Sequence, residues 1–423
     1  MRSFLSRHAD FVGNVAIMMS GKTIAAMVAL FTMPIVARLF VPDDFGIAAI
    51  FASITGIAGS VASLRYAAAI VLPKEESEAT TLMAFSYRVM FVISIAMLIF
   101  ISAYEATDIE WAALELLGDW KWLLPFAVLL ISALRIQDSW LTRGKAFKTI
   151  STSLVARNLS TSGSRIAFGA IYGSSVYGLI GGYFLGLICR LAVQASAVRH
   201  GLKATFSRIG WPKTKEIARR YSDFPLFNAP AGLVFSMGQN LPVLMFGVMF
   251  SPAIAGLYAM ADRLSQVPVT IVATSVRRVF LQKASEINNR GGSLRKAFLL
   301  SVGTLALVGA VPFAVLWQFG QPLATWILGE RWLVAGQYLE IIAPWLFLVW
   351  CAAPCNAIFI VLRKQKFWLS LTTTITTLRL AVFGIAYATS AGPEWTLQAF
   401  VLASMLGILL TISTTLALIF RNQ

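Results

Sequence analysis

Long apolar runs alternate along the chain with short polar interruptions, most of them basic. A membrane-spanning helix needs about 20 consecutive, mostly apolar residues, and by that measure the sequence predicts about twelve spans. The first six lie at residues 11–37, 45–70, 81–103, 122–142, 150–172 and 176–198. The second six lie at 223–249, 253–277, 297–318, 338–362, 367–388 and 395–420. The expected fold is an all-α polytopic membrane protein. The first run follows Arg2 and Arg7, is too long for a signal-peptide core and has no small-residue cleavage site after it, so it is expected to stay as a span. No interruption is long enough for a separate soluble domain, which argues against an extramembrane catalytic domain and against an enzyme.

Composition agrees with this pattern. Hydrophobic residues make up 58% of the chain and charged residues 13%, with a mean hydropathy of +0.74. A soluble domain carries about 25% charged residues. The net charge of +16 would suggest nucleic acid in a soluble protein. Here the basic residues sit in short loops between apolar runs, which is the positive-inside pattern of a membrane protein, and no nucleic-acid partner is expected.

The basic loops fall on one side. Arg143, Lys145 and Lys148 follow the fourth run. Arg199, Lys203, Arg208, Lys213, Lys215, Arg219 and Arg220 follow the sixth, and Lys283, Arg290, Arg295 and Lys296 the eighth. Arg363, Lys364 and Lys366 follow the tenth. The other side has neutral links such as Gly173–Ser175 and an acidic stretch with Glu105, Asp108, Glu110, Glu115 and Asp119. Both termini are then expected on the cytoplasmic face of a bacterial inner membrane.

A weak internal repeat runs through the chain. Phe45-Gly46 matches Ala255-Gly256, and Leu117-Gly118-Asp119 before Trp120 matches Leu328-Gly329-Glu330 before Trp332. Arg143 and Lys145 before Phe147 match Arg363 and Lys366 before Phe367. Arg165, Phe168-Gly169 and Tyr172 match Arg379, Phe383-Gly384 and Tyr387. The offset stays at about 210–220 residues, as in transporters built from two parallel repeats with the substrate near the midplane. The expected organisation is a six-helix lobe at 1–200, a basic cytoplasmic linker at 201–222 and a second six-helix lobe at 223–423.

Charges inside spans are costly unless they face protein or a water-filled cavity. Lys22, Arg88, Arg135, Asp138, Arg157, Arg165, Arg190, Asp262, Arg263 and Arg379 all fall inside predicted spans. The acidic members are too few to neutralise the set, so an anionic ligand fits the excess. Arg is suited to phosphate because its planar fork makes paired hydrogen bonds. Lys22, Arg157, Arg165, Arg263 and Arg379 are the expected substrate-binding cations. For Arg65, Arg88 and Arg190, nearer the cytoplasmic third, snorkelling to headgroups is equally open. Asp262 and Asp138 are candidates for ion coupling, with a structural ion pair as the alternative. Span seven carries Pro225, Pro230 and Pro242 beside Asn228, Gln239 and Asn240, which points to a bent helix. Cys189, Cys351 and Cys355 lie in apolar runs far in sequence from His8 and His200, so no metal site is expected. No Gly-rich phosphate loop followed by Lys is present, so no nucleotide cofactor is expected either.

Arg38-Leu39-Phe40-Val41-Pro42-Asp43-Asp44-Phe45-Gly46 resembles the hallmark after the first span of the polysaccharide-exporter family. Ser63-Leu64-Arg65-Tyr66, followed by Ile70-Val71-Leu72-Pro73-Lys74, is similar to that family's end of span two, and the basic link at Arg143–Phe147 also fits. These are the O-antigen (Wzx-type) and exopolysaccharide repeat-unit flippases, in a superfamily with the lipid II flippase and toxin-extrusion multidrug exporters. The resemblance implies transport of undecaprenyl-diphosphate-linked oligosaccharide through a cationic cavity by alternating access, without catalytic residues or cofactor. Membrane lipids, a polysaccharide polymerase and a chain-length regulator are the partners it suggests. The alternative is an ion-coupled multidrug or small-metabolite antiporter of the same fold, which would be expected to line its cavity with acids.

Overall fold

A computed structural model describes the backbone of residues 2–107, 109–206, 211–290 and 292–421. Within these, the side chains at 2–17, 19, 200–206, 211–214, 267–275, 277–279 and 289 lie outside the described set. Arg277, Arg278, Lys203 and Lys213 are among them, and Arg208 lies outside the described backbone.

Twelve long helices organise the described residues. They are α1 (Arg2–Leu39), α2 (Pro42–Val61), α3 (Glu76–Glu105), α4 (Leu124–Arg143), α5 (Phe147–Tyr172) and α6 (Val176–Phe206). Then come α7 (Ala229–Met249), α8 (Pro252–Asn289), α9 (Leu294–Leu328), α10 (Leu333–Cys351), α11 (Gln365–Ala388) and α12 (Pro393–Arg421). No strand occurs among the described residues. Among the described residues, ten helical segments are long and apolar enough to cross a membrane. Those ten do not include α5 or α8. The sequence of α5 holds Lys148, Arg157, Arg165 and a series of Ser and Thr, and that of α8 holds Asp262, Arg263 and Lys283. A count of twelve spans requires both, with their charges sheltered by protein.

Local chemistry sets the helix ends. Pro42 opens α2 with Asp43 and Asp44 in its first turn, where a fixed φ and negative charge both favour a start. That helix stops at Val61, short of the predicted residue 70, because Leu64 and Arg65 take left-handed φ values of 45° and 61°. Ser251 caps α8 by accepting from Ile254 N at 3.3 Å, with Pro252 at the first position. Pro225 lies in a π-helical turn, Phe224–Asn228, that leads into α7, which itself contains Pro230 and Pro242. The predicted tenth span divides into α10 and a short helix, Cys355–Val361.

One pair of repeat positions, and one pair of residues in the two matching basic links, share a local conformation. Gly118 and Gly329 both have positive φ, 51° and 103°; Gly118 opens and Gly329 precedes a 3-10 turn that leads into α4 or α10. Lys145 and Arg363 both sit at φ near the left-handed well, 56° and 53°. In both turns the next amide reaches back five residues, Ala146 N to Leu141 O and Lys364 N to Phe359 O, each at 2.8 Å.

The chain groups into two compact units, Met1–Val248 and Met249–Gln423. Contact thus places nearly all of α7 in the first unit. The six-and-six division remains a proposal about duplication. In the first unit α1 packs on α5, where Thr32 Oγ1 donates to Ser162 Oγ at 2.8 Å. The α5–α6 seam is closer still. A Cβ at Gly186 would lie 1.9 Å from Thr161 Oγ1, and one at Gly182 would lie 2.7 Å from Arg165 Cγ. Gly182 and Gly186 form a small-xxx-small stripe of the kind that brings spanning helices together. The linker helix Trp211–Arg220 docks on this unit. Ile217 is buried beside Leu82 and Met83, and Arg220 Nη1 bridges Glu78 at 2.8 Å. In the second unit, Phe280, Phe298, Ile358 and Ile419 join one core. Leu300, Leu307, Val308 and Val311 of α9 are exposed, a face that lipid solvates and water does not.

Candidate functional site

Charge is distributed unevenly where α4, α5 and α6 meet. Asp138 on α4 is tied down: Nη2 of Arg190 on α6 donates to both its carboxylate oxygens at 2.8 and 2.7 Å. Gln194, one turn along α6, donates to Asp138 at 2.9 Å and to Ser153 of α5 at 3.0 Å. Arg190, Gln194 and Ser153 are buried and Asp138 is half-buried. Three helices are therefore joined by a neutral polar network. Arg190 does not snorkel; it holds a structural ion pair, and the same pair engages Asp138.

Beside that network lies a second set of cations. Arg135 is one turn before Asp138 on α4, and Arg157 is one turn after Ser153 on α5. Both are half-buried and neither makes a hydrogen bond or ion pair among the described residues. Each lies within electrostatic reach of Asp138 and of Tyr183 on α6. Tyr183 is also within reach of Arg165, so one phenol adjoins three guanidinium groups. The Arg165 guanidinium donates through Nε and Nη2 to the Leu179 carbonyl of α6, both at 3.2 Å. Its stem lies over Gly182, so part of its role is to pack α5 on α6.

Arg65 joins this group from the end of α2, within electrostatic reach of Arg135. Its backbone is left-handed, a conformation that costs a non-glycine residue about 1 kcal/mol. Its guanidinium lies against Gly232 on α7, where an added Cβ would sit 2.0 Å from Nη2. Arg65 Nε is buried without a hydrogen-bond partner among the described residues. Arg135 was not among the cations expected to bind substrate, and for Arg65 that role stood open beside snorkelling. The available signal was the lack of an acid at helical spacing from Arg135 other than Asp138, whose partner on α6 was out of view.

The second unit holds a different arrangement. Arg379 on α11 lies over the rings of Trp345 on α10, 5.2 Å to the centroid, and Phe400 on α12, 5.9 Å. Both aromatic residues are buried. Buried Tyr258 on α8 is within electrostatic reach of both Arg379 and Asp262. Asp262 accepts from Gln266 Nε2 at 3.1 Å and makes no ion pair among the described residues. Arg263 follows with an exposed side chain, as does Lys22 on α1 in the first unit. The structure therefore brings Arg157 and Arg165 together around Tyr183, and relates Asp262 to Arg379 through Tyr258. No group of three or more His, Cys, Asp or Glu suited to a metal occurs among the described residues.

Known proteins give this geometry a context. The succinoglycan biosynthesis transport protein ExoT of Rhizobium meliloti is 21% identical over 316 residues, 74% of this chain and 61% of that protein. The teichuronic acid biosynthesis protein TuaB of Bacillus subtilis is 25% identical over 123 residues, 29% of this chain and 26% of that protein. The matched region thus spans less than two thirds of either relative. Among solved structures, the lipid II flippase MurJ in an inward closed conformation superposes with a TM-score of 0.73 at 14% identity, covering 94% of this chain and 87% of that one. An inward-facing multidrug resistance MATE family transporter of the MOP superfamily gives 0.60 at 17% identity, covering 97% and 98%. The fold is accordingly that of the MurJ and MATE transporters. The sequence profile of the family described as "Polysaccharide biosynthesis protein" matches residues 35–337, well over half of the chain, and this membrane protein belongs to that family.

Proposed function

We propose that this chain is a flippase that translocates undecaprenyl-diphosphate-linked oligosaccharide repeat units across the inner membrane, by alternating access, for O-antigen or exopolysaccharide biosynthesis. One observation carries the reading. Arg135 and Arg157 lie half-buried without a hydrogen bond or ion pair among the described residues, while the carboxylate near them is held by Arg190 and Gln194. Cations in an apolar span are costly, and an entering anion offsets that cost. A diphosphate supplies several acceptor oxygens in a geometry that guanidinium forks match. Membership of a polysaccharide biosynthesis family and a fold shared with a lipid II flippase support the same direction.

In this account Lys22, Arg157, Arg165, Arg263 and Arg379, with Arg135 added, attract and hold the headgroup. The polyprenyl tail stays in lipid. Two six-helix halves, residues 1–200 and 223–423 joined by a basic linker, change their access while both termini remain cytoplasmic. A polysaccharide polymerase and a chain-length regulator are the proposed protein partners. The role is transport, so no residue is assigned to catalysis.

A second reading has its own support. Asp262 is a half-buried carboxylate without an ion pair among the described residues, and the fold is shared with a multidrug transporter. An ion-coupled antiporter would use Asp262 to bind the coupling ion. The two readings separate in cells lacking this protein. The flippase reading expects one diphosphate-linked repeat unit to accumulate on the cytoplasmic leaflet, with wild-type protein restoring export and well-expressed Arg157→Ala, Arg263→Ala or Arg379→Ala failing to do so. Undiminished polymer export without accumulation, in a strain with no second flippase, would move the assignment to the antiporter.

A further inference from the structure

Helix α9 is broken near its end. Phe319 leaves the helical region at φ −127° and ψ 19°, and Pro322 follows three residues later. A proline ring clashes with the carbonyl four residues back and lacks an amide hydrogen, so the helix bends there. A break inside a span leaves backbone donors without their helical acceptors, and apolar surroundings provide none. The Gln321 amide nevertheless has a partner. It donates to Glu340 Oε1 on α10 at 2.8 Å.

Two glycines let the carboxylate reach that amide. A Cβ on Gly320 would lie 2.7 Å from Glu340 Cγ, and one on Gly336 would lie 2.5 Å from Gln321 Cα. Both glycines are buried, so α9 and α10 touch backbone to backbone at the break. Gly336 and Glu340 are four residues apart and share a face of α10. Gly336 admits the bent chain, and Glu340, one turn on, accepts its amide. Glu340 makes no ion pair among the described residues, and its charge lies at the positive end of the segment that restarts at Gln321. The half-buried Glu340 carboxylate has no other hydrogen-bond partner among the described residues.

We propose that Glu340 is a positioning residue that caps the restarted end of α9, so that residues 321–328 are carried by α10 and the joint lies at Phe319. The acceptor oxygen performs this role, so Gln should replace Glu and Ala should not. The inference does not depend on which substrate is transported. It is tested by hydrogen–deuterium exchange on the full-length protein in lipid nanodiscs, following the peptide that contains Gln321. Glu340→Ala should raise its exchange about tenfold, as expected for loss of the hydrogen bond, while Glu340→Gln, whose amide oxygen still accepts, keeps most of the protection. Gly336→Ala, which forces the two backbones apart without touching the carboxylate, should reproduce the Ala effect. In the glycan-accumulation assay, Glu340→Gln should support export and Glu340→Ala should reduce it. Unchanged exchange in folded Glu340→Ala overturns the capping role. Loss of protection in Glu340→Gln equal to that in Glu340→Ala also overturns it, because the charge and not the acceptor would then be what matters.

Discussion

Arg190 and Arg157 lie on adjacent helices around the same carboxylate, yet their circumstances are opposite. Arg190 is buried and donates to both oxygens of Asp138, with Gln194 and Ser153 completing the network. Arg157 has no such partner among the described residues, and Arg135 shares that condition. A neutralised cation is part of the scaffold. A half-buried cation without an anion is a place where an anion belongs. Residue type and depth alone do not separate the two cases. The partner does, and partners sit on other helices.

The contrast is sharpened first by breaking the neutral network. Asp138→Ala leaves Arg190 buried without its anion, and because Asp138 is half-buried the expected cost is roughly 2–4 kcal/mol. Thermal unfolding in detergent should show a marked fall in Tm for Asp138→Ala and for Arg190→Ala alike. A Tm equal to that of wild type in both variants would make the network dispensable. A smaller effect is expected at the seam beneath it. Gly186→Ala drives a Cβ into Thr161 Oγ1 and the Arg157 carbonyl and should cost about 1–3 kcal/mol in the same assay. The pair Gly186→Ala and Thr161→Ala should recover part of that loss, since it removes the hydroxyl that the new methyl meets.

The Arg379 seat comes next. Replacing the guanidinium by an uncharged side chain of similar length, Arg379→Met, removes two cation–π contacts and should cost about 1–2 kcal/mol. A fall in export with no change in Tm would show instead that Arg379 acts on the ligand alone. The smallest stability effect belongs to the unpaired set. Arg157→Gln relieves repulsion from Arg190 and Arg135→Gln relieves repulsion from Arg65, and each should change stability by less than about 1 kcal/mol, while export falls at least tenfold. A loss of stability as large as that of Asp138→Ala would mean that these arginines are scaffold too.

The fold was largely legible because each span must satisfy its own backbone in lipid, which forces a long apolar run into a helix. Pro42, Ser251-Pro252 and the glycines at 173 and 329 marked helix ends in ways that local chemistry explains. The early end of α2 was not legible, since nothing local requires Leu64 and Arg65 to be left-handed. Nor was the break in α9, where Pro322 gave a hint but Phe319 is where the chain turns. Glu340 fell near the edge of a predicted span, so its bond to Gln321 was invisible. Arg157 and Arg165 were named as candidates from charge inside predicted spans, and both lie around Tyr183. Arg135 and Arg190 could not be told apart from sequence, because the carboxylate of Asp138 on the helix of Arg135 is engaged by Arg190 from another helix.

The central claim is that the unpaired arginines of the first unit bind a diphosphate. Its most direct test is native mass spectrometry of the purified protein with undecaprenyl diphosphate, comparing wild type with Arg135→Gln/Arg157→Gln and with undecaprenyl monophosphate as the weaker control. The account predicts that wild type retains the diphosphate lipid in preference to the monophosphate, and that the double variant loses at least tenfold of that affinity while remaining folded. Equal retention of the diphosphate lipid by wild type and the folded double variant would contradict it.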